Sequence, residues 1–128
     1  MYEVEIWVDV VCRDKGSNET MCTLFATHQM PIRPNMGERL NYHQMKGSNL
    51  DFELISPIGP VRQRIVSVSI DEVSHYASDN KGELLFTTAL RCSEISVASK
   101  EDARVVCAFM TKQCGFNIDP YGINKLSD

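Results

Sequence analysis

From Tyr2 to Arg13, apolar and polar residues take turns. Tyr2, Val4, Ile6, Val8, Val10 and Cys12 alternate with Glu3, Glu5, Trp7, Asp9, Val11 and Arg13. A period of two predicts a β-strand with its even face toward a core. The odd face is mostly charged, yet Trp7 and Val11 make it too apolar to lie fully in water. A turn-rich connector, Arg13 to Glu19, leads into a second strand over Thr20 to Gln29. That strand is apolar on both sides, with Cys22, Leu24 and Ala26 on one and Met21 and Phe25 on the other, which predicts cover on both sides.

The longest two-residue rhythm runs from Arg64 to Cys92 and predicts a β-hairpin. Val66, Val68, Ile70 and Tyr76 share one parity of the first arm. Leu84, Phe86, Leu90 and Cys92 share one parity of the second, and Ser78 to Gly82 form the turn. Asp71-Glu72 interrupts the first arm, and a bulge there would shift the later residues by one.

Shorter strands are predicted at Glu38–Tyr42 and Leu50–Leu54, and Glu94–Val97 either extends the hairpin's second arm or forms a separate short strand. Asn35-Met36-Gly37 and Lys46–Asn49 read as turns, and Ser56–Pro60 as a firm break. The spacing of Ala103, Val106, Cys107, Met110 and Cys114 predicts a helix over Lys100 to Gln113. Ser99 is its expected N-cap and Gly115 its stop. The last six or so residues are expected to be loosely held. These elements predict a single α+β domain over residues 1–128. It is a strongly bent antiparallel sheet or small β-barrel of five to seven strands, with one C-terminal α-helix packed on it. An open sheet, with the helix on one side and a second copy of the chain on the other, is the alternative. Trp7, Val11, Met21 and Phe25 are the expected interface of that homodimer, with one wall of an apolar ligand pocket as the other functional reading and ordinary core covered by a loop such as residues 31–60 as the plain one.

Length and composition narrow the picture. The chain has 128 residues, 43% hydrophobic and 23% charged, which suits an ordinary globular domain. Its apolar runs are too short for a transmembrane helix, so no membrane is expected, and the N-terminus lacks the features of a signal peptide; the expected location is cytoplasmic. Five cysteines without a Cys-x-x-Cys pair then read as buried thiols rather than a disulfide framework. A net charge of −4 makes nucleic acid an unlikely partner. Only residues 31–64 are basic on balance, with Arg33, Arg39, Lys46, Arg62 and Arg64.

Candidate chemistry follows from that charge pattern. Arg33, Arg39, Arg62 and Arg64 lie near turns, glycines and prolines, where guanidinium groups could converge on an anionic ligand. Solvated charges paired with Glu38 or Glu53 are the plainer reading. Asp71 and His75, with Glu72, are the other candidates for a ligand site or for acid–base chemistry. In a regular strand, however, Asp71 and His75 stand about 13 Å apart, too far to share a metal. Cys22, His28 and His43 lack any zinc-site spacing, so neither a metal nor a cofactor is expected. Phosphate-loop, dinucleotide, nucleophile-elbow and zincin signatures are absent. The function expected from these residues is binding or assembly, through a small ligand or a protein partner and with self-association. A small enzyme built around Asp71, Glu72 and His75 is the alternative.

Overall fold

A computed structural model of the chain describes residues 2–14, 16–43 and 65–127 in full, and the backbone of 52–56 and 59–63. Among the described residues, nine strands and one helix follow in the order β1 (Tyr2–Asp14), β2 (Ser17–Met30), β3 (Arg39–His43), β4 (Phe52–Ser56), β5 (Gly59–Gln63), β6 (Ile65–Asn80), β7 (Glu83–Cys92), β8 (Ile95–Val97), α1 (Lys100–Gln113) and β9 (Asn117–Ile118). The expected α+β architecture is present, as a strongly curled half-barrel with the helix packed on it. The expected turn at Lys46–Asn49 and the first two residues of the strand at Leu50–Leu54 lie outside the described residues.

β1 is the central strand. β2 pairs antiparallel along one edge, while β7 and then β8 share the other in parallel. The remaining pairs are antiparallel, and the path runs β3-β6-β7-β1-β8-β4-β5 with β9 beyond β2. The sheet is therefore mixed rather than wholly antiparallel. Alternation along a strand reports which face is buried and carries no information on the direction of a neighbour. The expected break at Pro60 is instead part of β5, opposite Ile55. β5 ends the strand path, where a residue without an N–H is tolerated.

The core forms between the even face of β1 and one face of α1. Val4, Ile6, Val8 and Val10 join Leu24 and Ala26 of β2, Val66, Val68 and Ile70 of β6, and Leu90 of β7. Against them α1 buries Ala103, Val106, Cys107, Phe109 and Met110. The Ser99 hydroxyl accepts the Asp102 amide at 3.1 Å, giving the helix the expected N-cap. Beyond Gly115, in the left-handed region at φ 76°, the chain returns to the edge of β2. There Asp119 N–H donates to Thr23 O and Lys125 N–H to Met21 O. The terminal segment is thus tied down, contrary to expectation, and Arg104 Nε also donates to Leu126 O.

Two bulges decide which side chains face inward. In β2 the register passes from Val10↔Cys22 to Val11↔Thr20, leaving Met21 without a partner on β1. In β6 it passes from Ile70↔Cys92 to Glu72↔Arg91, leaving Asp71 as the extra residue. The anticipated bulge at Asp71 is present, and beyond it the core parity moves from even to odd. Val73 packs on the core, and Tyr76 turns to the outer face, where its hydroxyl donates to Glu5 Oε2 at 2.7 Å.

Candidate functional site

The hairpin of β6 and β7 is longer than the sequence suggests. Its turn is only Lys81-Gly82, both with positive φ (54° and 85°), the pair required for a tight turn that follows strand twist. β3 covers β6 only from Ile65 to Ser69, and β1 covers β7 only from Thr88 to Arg91. Among the described residues, Glu72–Asn80 and Glu83–Thr87 pair only with each other. The distal hairpin is therefore an arm projecting from the half-barrel, with both outer edges open.

This arm carries Leu84, Leu85 and Phe86, which are 67%, 45% and 70% exposed. Leu84 and Phe86 share one face, and Leu85 lies on the other with the exposed ring of Tyr76. Three consecutive large apolar residues break the two-residue rhythm, and that was the available signal in the sequence. Assigning Leu84 and Phe86 to the core parity hid it.

The expected interface on β1 and β2 is differently placed. The Met21 bulge turns Met21 inward, and Val11 and Met21 are covered by their own chain, with 5% and 2% exposed. Trp7 and Phe25 remain on the outer face, half-buried and stacked at 5.1 Å. Polar groups surround them. Trp7 Nε1 donates to Glu5, Thr23 to Asp9 and Arg91 to Asp9. What remains there is a ring pair framed by hydrogen bonds, with far less open apolar surface than the arm.

The expected ligand residues are only partly gathered. Arg33 and His75 line one concavity of about 220 Å³ at the base of the arm, with Tyr2, Val4, Pro34, Val73 and Thr88. His75 Nδ1 lies 2.9 Å from Thr88 Oγ1. Among the described residues, the Arg33 guanidinium has no hydrogen-bonding or ionic partner, which leaves its donors available to an anion. Arg39 is elsewhere, donating to Ser67 Oγ at 3.0 Å. The backbone of Arg62 lies on β5, at the far end of the strand path, and Arg64 lies outside the described residues. Asp71 occupies the bulge near Cys92, and Glu72 stands opposite Arg91. Asp71 and Glu72 do not join His75 around its concavity, so no acid–base constellation forms there.

The thiols lie in or beside the core. Burial, helped by the charge of Asp71, pushes Cys92 up to about 11, and burial alone does the same for Cys114. Neither setting favours a thiolate nucleophile. Cys22 Sγ and Cys107 Sγ approach to 3.2 Å, joining β2 to α1. Nothing in the spacing of two cysteines 85 positions apart announced that contact. Among the described residues, no three metal-ligating side chains cluster, and no helix is long and apolar enough to cross a membrane. Compared with known proteins, the chain matches no family model, no curated protein and no solved structure.

Proposed function

We propose that the protein is an assembly module that pairs with a second copy of itself through the β6–β7 arm. The observation that carries this reading is the exposure of Leu84, Leu85 and Phe86 on a hairpin with both edges open. A two-stranded ribbon is marginally stable in water, and large apolar side chains on it gain most from being covered. An open strand edge also offers a row of backbone donors and acceptors to another strand.

A second copy fits these features by symmetry. Two β6 edges running antiparallel about a two-fold axis form an isologous contact, the commonest closed arrangement. In that arrangement the tip of one arm reaches the base of the other. Each tip carries Asp79 and Glu83 against Lys81, and each base carries Arg33, unpaired among the described residues, beside His75. Acidic tips facing guanidinium bases supply charge complementarity and fix the register.

Light scattering on purified protein tests the reading. The wild type is expected at twice 14.5 kDa at tens of micromolar. Phe86→Asp is expected to weaken association at least tenfold and leave the far-ultraviolet spectrum unchanged. A wild-type monomer throughout that range would rule the reading out, as would a variant that dimerises normally.

A further inference from the structure

Cys22 projects into the core from β2 and Cys107 from the second turn of α1. Their sulfur atoms lie 3.2 Å apart, inside the contact distance of two unbonded sulfurs and about 1.1 Å from the length of a disulfide bond. The other cysteines, Cys12, Cys92 and Cys114, show no such contact among the described residues. Access is available from one side. Cys107 retains 3% of its surface and lines an open groove between α1 and the C-terminal segment, with Thr111, Ile118 and Leu126.

We propose that Cys22 and Cys107 form an oxidation site, a dithiol that hydrogen peroxide converts into an intrachain disulfide bolting α1 to β2. The two sulfurs already share a proton in a hydrogen bond. That bond pulls the Cys22 thiol below its ordinary value, against the opposing effect of burial. One sulfur of the pair, as thiolate, attacks an oxygen of the peroxide. An S–O bond forms, the O–O bond breaks, and the departing hydroxide takes a proton to become water. The second sulfur then attacks the sulfenic sulfur. An S–S bond forms, the S–O bond breaks, and the second hydroxide leaves as water with the remaining thiol proton. Two thiols and one peroxide give one disulfide and two waters, with the sulfurs oxidised by two electrons in all. A small thiol reverses the change by exchange.

The bond would close a loop of about 85 residues and join the helix to the strand that anchors the C-terminal segment. Long closed loops restrict the unfolded chain most, so the oxidised form is the more stable one. The inference is independent of self-association, because neither sulfur lies on the arm.

Peptide mapping of the peroxide-treated full chain tests it, since trypsin places each of the five cysteines on a different peptide. One linked species joining the Cys22 and Cys107 peptides is expected, with the other three cysteines still alkylatable. A rise in Tm on the order of 10 °C should accompany it and reverse with dithiothreitol. Cys12→Ser should retain the link and the shift, and Cys22→Ala should lose both. Linkage of any other pair, or stable oxidation elsewhere while Cys22 and Cys107 remain thiols, overturns the proposal. The wild-type map decides the matter even where Cys22→Ala fails to fold.

Discussion

His28 shows how much of a residue's setting comes from distant segments. In the sequence no zinc-site spacing joins it to Cys22 and His43, and nothing else marks its surroundings. In the fold it stands in an aromatic cluster, edge-on to Phe116 at 5.3 Å and tilted against Tyr42 at 5.9 Å. Its Nε2 is buried with no hydrogen-bond partner among the described residues. Burial lowers the His28 pKa, with a smaller opposing effect from the Thr27 carbonyl. The unfolded chain therefore binds a proton first as pH falls through about 6.5. Stability is full above that pH and declines on acidification until the folded-state imidazole also protonates. Denaturant titrations between pH 5 and 8 should show the decline in the wild type and a smaller one in His28→Phe. Equal slopes would show that His28 does not contribute. Ser99 is the contrasting case, because an N-cap is a local device and could be read directly from its neighbours.

At the scale of elements, the alternation of β1 and the spacing of α1 were legible because each is a period within one segment. Bulges are not, since two residues opposing one is a property of a strand pair. Asp71 could be anticipated only because two charged residues interrupt an apolar rhythm. Met21 gave no such signal, and so Met21 and Val11 were assigned to the outer face although both are buried. The parallel neighbours of β1 were hidden for a related reason, as partner and direction are settled by contacts some 80 positions away. The Asp71 bulge invites a direct test. Deleting Asp71 removes the extra residue and joins Ile70 to Glu72, so that Glu72 keeps its outward place opposite Arg91 and Val73 its inward place opposite Leu90. Guanidinium unfolding should therefore show a loss of no more than about 1 kcal/mol. A loss of several kcal/mol would mean that the register beyond Ile70 depends on the extra residue.

For the whole molecule, the half-barrel, helix and anchored C-terminal segment enclose the core, and among the described residues the arm stands outside it. The arm has no counterpart in the expected dimer surface, which lay on β1 and β2. Polar framing around Trp7 and Phe25, the inward turn of Met21 and the burial of Val11 leave that face largely satisfied by its own chain. Predicting a second copy from the sequence rested on sheet area left uncovered by one helix. The proposal now rests on the exposed side chains and open edges of β6 and β7. Arg33 and His75 acquire a place in it at the base of the arm, whereas Arg39, Arg62 and Asp71 do not.

Hydrogen exchange read by mass spectrometry at two protein concentrations tests pairing through the arm most directly. Amides from Glu72 to Asn80 should exchange more slowly as concentration rises from well below to well above the dissociation constant, while those of α1 remain unchanged. Exchange in the arm that is fast and independent of concentration, with dimer present by light scattering, would place the interface elsewhere and contradict the account.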